Sequence, residues 1–149
     1  MAATQTEDWA AHAQRVLTQS GHHSGRARRS LLELLETQPC ALSAIEIEDA
    51  LRKLERPVAR ASIYRILDEL ERLRLVQRVQ VGQDMTRYEP IRTGKDHHHH
   101  LVCESCGTVT PFTDQGLENA IRKLSRRLPM QVAEHEIVLR GNCKACATG

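Results

Sequence analysis

Two Cys-x-x-Cys pairs, Cys103/Cys106 and Cys143/Cys146, lie in the last third of the chain, and four consecutive histidines, His97 to His100, stand just before the first pair. Four thiolates in two such pairs are the ligand set of a closed, tetrahedral structural zinc site. The competing readings are four reduced thiols or two disulfides. The turn through Cys106-Gly107 suits a knuckle in which backbone amides also point at the sulfurs. The histidines merge into the apolar Leu101-Val102-Cys103, a strand pattern. Alternate residues of a strand face opposite sides, so His97 and His99 face one way and His98 and His100 the other. Two pairs of imidazoles result. Glu118 and His135 are candidates to complete the first, and Glu89 the second. Mixed histidine and carboxylate sites suit Fe(II), Zn(II), Mn(II) or Ni(II). The alternative is a solvated histidine patch that binds metal adventitiously.

A second constellation belongs to the first half. Arg60, Ser62, Tyr64 and Arg65 open an amphipathic segment, and a recognition helix presents its N-terminal residues to the major groove. Arginine can bind guanine bidentately, and tyrosine can pack on a thymine methyl. Arg26, Arg28 and Arg29 open an earlier helix and are placed to meet phosphates. The alternative is an ordinary solvated basic face. Arg122, Lys123, Arg126 and Arg127 read as a solvated helix face.

The elements that must position these residues follow from periodicity. Helices are predicted over 7–19, ended by Gly21, and from Ser24 or Gly25 to Glu36, with Pro39 as the breaker. Ser43 with Glu46 three residues on is a capping box. It starts a helix with Ala44, Ile47, Leu51 and Leu54 on one side, closed by Pro57. A fourth helix fits 60–74, with Ile63, Leu67, Leu70 and Leu73 inward. The alternating segments 75–81 and 85–89, around Gly82-Gln83-Asp84, read as a two-stranded hairpin. Helices followed by a hairpin give the order of a winged helix-turn-helix. The stretch 90–96 is aperiodic and reads as a hinge. Beyond it, strands are expected over 101–104 and 108–112. A helix over 115–128 is capped by Asp114, and 131–140 reads as one long strand. The fold class is therefore α+β: an N-terminal winged helix-turn-helix over 1–89, a hinge over 90–96, and a small α/β dimerisation domain with a zinc clip over 97–149.

Composition narrows the class. The aromatic residues are Trp9, Tyr64, Tyr88 and Phe112, so both halves must build their cores from aliphatic side chains. Small domains with thin cores rely on a metal clip or on dimerisation. The formal net charge is +2, and residues 1–89 hold 13 Lys/Arg against 13 Asp/Glu, so contact with nucleic acid must come from a local arrangement of arginines. No apolar run is long enough to span a bilayer. The N-terminus shows no basic region followed by an apolar stretch, and a cytoplasmic location is expected. There, Cys-x-x-Cys pairs bind metal more often than they form disulfides. A zinc hydrolase would need an open coordination position and a substrate pocket, and nothing suggests a pocket. No enzymatic activity is expected.

Taken together, the chain resembles the ferric uptake regulator (Fur) family of bacterial metal-dependent repressors. The resemblance runs from about Arg15 to Cys146. It is carried by Ala61-Ser62-Ile63-Tyr64-Arg65-Ile66-Leu67, by Tyr88-Glu89, by the run from His97 through Cys103-Glu104-Ser105-Cys106-Gly107, by Phe112-Thr113-Asp114, and by His135 through Cys143-Lys144-Ala145-Cys146. It implies a homodimer that binds an AT-rich palindromic operator in double-stranded DNA and controls metal-homeostasis genes. Cys103, Cys106, Cys143 and Cys146 match structural Zn(II) ligands. Glu89, His98 and His100 match three ligands of a sensory site for a second Zn(II) or Fe(II). His97, His99, Glu118 and His135 match a site inside the dimerisation domain, with histidine where many members have aspartate. Tyr64 and Arg65 match DNA-contacting positions. Two departures stand out. Ala41, with Cys40 beside it, occupies the position of a sensory-site histidine, and Pro111 replaces an acidic residue. Cys40, Asp84 and Asp96 are the candidates for a fourth sensory ligand, or the site stays incomplete. A thiolate there would favour zinc over Fe(II); the other reading of Cys40 is a small, buried, inert residue. The alternatives within and outside the family are a peroxide- or redox-sensing regulator and a metal-buffering protein.

Overall fold

The computed structural model describes residues 8–23, 25–38, 40–81, 85–92 and 98–148. The chain divides into two compact units, Met1–Thr93 and Gly94–Gly149.

The first unit begins with α1 (Trp9–Gln19) and α2 (Arg26–Thr37). Each is amphipathic: Trp9, Ala13 and Leu17 recur at intervals of four on α1, and Leu31, Leu34 and Leu35 line one side of α2, all buried. A short strand, β1 (Leu42–Ser43), leads directly into α3 (Ala44–Lys53). The capping box is formed as expected. Glu46 N–H donates to Ser43 Oγ at 3.2 Å, and Ser43 N–H donates to the Glu46 carboxylate at 2.8 Å. α4 (Arg60–Arg72) follows, then β2 (Val76–Val81) and β3 (Met85–Pro90). Ile47 and Leu51 of α3 meet Ile63, Leu67 and Leu70 of α4 in one apolar core that reaches Val76 and Tyr88 of the sheet.

Three differences from the sequence expectation stand out. α3 stops at Lys53, before Pro57, because Glu55 takes a left-handed conformation (φ 57°) and Arg56 N–H reaches back to the Leu51 carbonyl at 2.9 Å. α4 stops at Arg72 in the same way, with Arg74 at φ 56° and Leu75 N–H on the Leu70 carbonyl at 2.8 Å. Both are Schellman endings without the usual glycine. The hairpin is also not alone: β1 pairs antiparallel with β3, Leu42 opposite Tyr88, giving a three-stranded sheet in the order β1-β3-β2.

The second unit holds β4 (His99–Cys103), β5 (Val109–Phe112), α5 (Gln115–Ser125), β6 (Val138–Gly141) and the one-turn α6 (Lys144–Ala147). The sheet order is β5-β4-β6, with β4 antiparallel to β5 and parallel to β6. Asp114 caps α5 by accepting from Leu117 N–H at 2.7 Å. The long strand expected over 131–140 is reduced to Val138–Gly141. The parallel register with β4 begins at His100 opposite Val138, and the Ile137 carbonyl accepts the first bond of the ladder from His100 N–H at 3.0 Å. α6 was not foreseen. Burial is sparse here: among the described residues Val102, Cys103, His99 and His100 are the buried ones, and none of α5 is buried.

Candidate metal centres and nucleic-acid interface

Parallel pairing brings the C-terminal ends of β4 and β6 side by side, with Cys103 opposite Gly141. The turn after β4 carries Cys106, and the residues after β6 carry Cys143 and Cys146. The four sulfurs converge to within 4.8 Å of one another. Cys106 Sγ lies 3.9 Å from Cys143 Sγ, and all four cysteines are free thiols. A disulfide would need about 2 Å. Zinc–sulfur bonds of about 2.3 Å at the tetrahedral angle separate sulfurs by roughly 3.8 Å. The donor set and its spacing therefore fit a closed zinc site. Backbone amides serve it: Cys143 N–H donates to Cys103 Sγ at 3.3 Å. That bond is the main reason the Cys103 thiol is held down to about 6, whereas hydrogen bonding to Cys143 and the other sulfurs pushes Cys146 up to about 12. Gly107 sits in the knuckle turn at φ 74°, where a side chain would strain the backbone.

The opposite end of β4 carries the second cluster. His99 Nε2 lies 2.5 Å from Glu118 Oε1, and His135 Nε2 lies 2.9 Å from Glu118 Oε2. Ile137 N–H donates to His99 Nδ1 at 3.3 Å, which fixes the ring with Nε2 facing Glu118. The His99 hydrogen bond, seconded by His135, lowers the Glu118 carboxyl below its ordinary range. His99 is fully buried, and the ligand atoms of His99, Glu118 and His135 all lie within 4.8 Å of one another. Two imidazoles and a carboxylate at that spacing suit a first-row divalent cation. His97, expected here, lies outside the described residues.

The other face of the histidine segment holds His98 and His100, whose ring centroids are 5.0 Å apart in an edge-on arrangement. His100 is fully buried, with Nδ1 3.7 Å from Glu136 Oε1. The strand alternation thus separates His99 from His98 and His100. Glu89 belongs to β3 of the first unit. Its side chain is 2% exposed and accepts from Gln77 Nε2 at 2.5 Å. Cys40, also of the first unit, is half-buried. Asp84 and Asp96 lie outside the described residues.

In the first unit, α4 turns Ile63, Ile66, Leu67 and Leu70 inward and leaves Arg60, Tyr64 and Arg65 exposed, with Ser62 partly so. Arg65 Nη2 donates to Ser62 Oγ at 3.4 Å. The expectation for Arg28 changes. Its Nε and Nη2 donate to Glu69 at 3.0 and 2.6 Å and its Nη1 to the His23 carbonyl at 2.8 Å, so its charge is committed within the fold. Arg26 and Arg29 are the exposed arginines of α2. Glu48, absent from the sequence expectation, pairs with Arg60 across the α3–α4 corner. No period or motif marks it, since its partner is twelve residues away.

Residues 19–140 match the sequence pattern of the Ferric uptake regulator family. The chain belongs to that family. The Ferric uptake regulation protein of Bacillus subtilis (strain 168) is 30% identical over 114 residues, 76% of each chain. The crystal structure of the Vibrio cholerae ferric uptake regulator superposes with a TM-score of 0.75 at 28% identity, covering 87% of this chain and 98% of that one. The ferric uptake regulator of Helicobacter pylori, described as having three functional metal binding sites, superposes with a TM-score of 0.79 at 24% identity, over 96% of this chain and 94% of that one. The chain is thus a metal-responsive regulator of the ferric uptake regulator type, and its α+β fold is that of the Fur structures. No helix among the described residues is long and apolar enough to cross a membrane.

Proposed function

We propose that the chain is a metal-dependent, DNA-binding transcriptional repressor that works as a homodimer and senses Fe(II) or Zn(II) to control metal-homeostasis genes. The observation that carries this reading is the pairing, on one five-residue strand, of a tetrathiolate cluster at its end with an imidazole–carboxylate cluster at its start. The thiolates would hold zinc as a fixed structural ion, a role that supplies folding energy and no chemistry. His99, Glu118 and His135, with His97, would hold an ion inside the dimerisation domain. The sensed metal is assigned to Glu89, His98 and His100. The description of the Helicobacter pylori relative supports three sites. Residues 1–89 form the DNA-binding domain and 97–149 the dimerisation domain, with 90–96 as the hinge. Homodimer formation is supported by the exposed apolar side chains of the second unit, Leu101 beside Leu139 on the sheet and Leu124 on α5. DNA contact is assigned to Arg60, Ser62, Tyr64 and Arg65.

Metal need only bind the DNA-competent arrangement more tightly than the alternative to shift the population toward it. The test is fluorescence anisotropy on an AT-rich inverted-repeat duplex at fixed salt, titrating Zn(II), Fe(II), Mn(II) and Ni(II) in turn. Tightening by one metal is expected, with loss of the effect in the His98→Ala/His100→Ala variant. Equal binding with every metal and with none would refute a sensor. A metal effect unaltered by that variant would refute the assignment of the sensory ligands.

A further inference from the structure

We infer that Glu48 is a positioning residue that turns Arg60 into a reader of guanine rather than a phosphate contact; this rests on the DNA-binding reading of α4. Arg60 is the first residue of α4, about half exposed, and Tyr64 and Arg65 share its outward face one turn on. Its Nε donates to Glu48 Oε2 at 2.7 Å. Glu48 is itself held: its side chain is 17% exposed, and its other oxygen accepts from Arg52 Nη2 at 3.0 Å. The carboxylate therefore cannot follow Arg60 freely, and Arg60 is oriented by it. The two terminal amino groups of Arg60 make no other hydrogen bond or ion pair among the described residues.

Those two groups are the pair of parallel donors that matches O6 and N7 of guanine. An unbuttressed arginine must give up its side-chain freedom on binding, and its charge is attracted to any phosphate in reach. Bonding Nε to a fixed carboxylate removes much of that freedom beforehand and leaves the fork aimed outward. The carboxylate also repels the DNA backbone, which penalises contacts that do not engage a base. An exposed ion pair contributes little to stability, so the fold does not depend on this one. Glu48 and Arg60 lie at the corner between α3 and α4, where the recognition helix begins.

The test is selection of duplexes from a randomised pool by the full-length, metal-loaded chain, followed by sequencing of the bound fraction. The wild type is expected to show a guanine in each half-site preferred by about tenfold or more over other bases. Arg60→Ala should erase that preference and leave the remaining positions intact. Glu48→Ala should reduce it several-fold while raising affinity for unselected DNA. Arg52→Ala leaves the Arg60–Glu48 bond in place but frees the other carboxylate oxygen, and should reduce the preference less than Glu48→Ala does. Three results would overturn the inference: a guanine column unchanged in Glu48→Ala, a uniform loss of affinity with every column preserved, or equal loss in Arg52→Ala. Failure of the wild type to enrich any sequence would overturn the DNA-binding reading itself.

Discussion

Removing the thiolate-held metal is expected to unfold the second unit and spare the first. Val102 is the one fully aliphatic side chain buried in the second unit among the described residues. Burying a valine stabilises by about 1.5–3 kcal/mol. Structural zinc supplies on the order of 10–16 kcal/mol to small domains that fold around it. Even counted only as a cross-link, a clip joining Cys103 to Cys143 across 40 residues restricts the unfolded chain. By the loop-closure relation that restriction is worth about 4 kcal/mol, a roughly thousandfold change in the opening equilibrium. The first unit has no such dependence, because its core is continuous from Trp9 of α1 to Tyr88 of β3. The assay is hydrogen exchange by mass spectrometry on the whole chain, with and without a strong chelator, and on the Cys143→Ser variant. The single tryptophan reports on the first unit: Trp9 is 5% exposed and donates from Nε1 to the Leu75 carbonyl at 2.9 Å. Amides of β4 and β6 should lose protection while Trp9 emission stays constant. Protected β4 and β6 amides in protein shown to be metal-free would refute the reasoning, and so would loss of both units together.

Other outcomes follow from particular bonds. Ser43→Ala removes half of a formed capping box and should cost the first unit about 1 kcal/mol in Trp9-monitored denaturation; an unchanged midpoint would count against it. The Glu48 carboxyl is lowered chiefly by its hydrogen bond from Arg60. An acid depressed in the folded state contributes stability that is full above its unfolded value, near ~4.3, and is lost as pH falls through the lower folded value. Because the pair is exposed, Glu48→Gln should make the acid limb of first-unit stability only slightly shallower, and a steeper limb would contradict the assignment. Gly107→Ala meets open space but must hold φ at 74°, a backbone cost on the order of 1–2 kcal/mol, and should release zinc to a chelator sooner than wild type. Arg65→Ala should weaken operator binding and reduce the salt slope by about 1 without moving the thermal midpoint; a shifted midpoint would mark Arg65 as structural.

The legible features were those with a local cause. Ser43 and Glu46 are three residues apart, and the box they announce is formed. The histidine run alternates as a strand must, which puts His99 with Glu118 and His135 on one face and His98 with His100 on the other. What escaped notice had a distant partner or an atypical residue. Glu55 and Arg74 end two helices in a conformation that glycine announces and they do not, unlike Gly21 at φ 83°, which was legible. β1 is two residues long and exists because β3 pairs with it 44 residues later, Ser43 opposite Arg87. Arg28 carries the same sequence signal as Arg26 and Arg29. Only the placement of Glu69 on α4 distinguishes an arginine of the fold from two exposed ones.

The second unit shows the same principle at its metal centres. Cys103 and Cys143, and His99 and His135, are each separated by more than 35 residues, so the fold must bring each expected pair together. Both are consequences of one parallel ladder, β4 beside β6. At its start, Ile137 N–H holds His99 Nδ1, and at its end, Cys143 N–H holds Cys103 Sγ. Four residues of strand, about 13 Å, separate the two clusters. A one-residue slip of β6 would turn its side chains to the opposite face and move both backbone donors away from their ligand atoms. Little apolar burial opposes such a slip, since Val138 is only half-buried and Leu139 is 51% exposed. A closed thiolate site at the end of the ladder therefore fixes the register on which the imidazole–carboxylate cluster depends. An ion held by the four thiolates would thus make the second site possible without touching it.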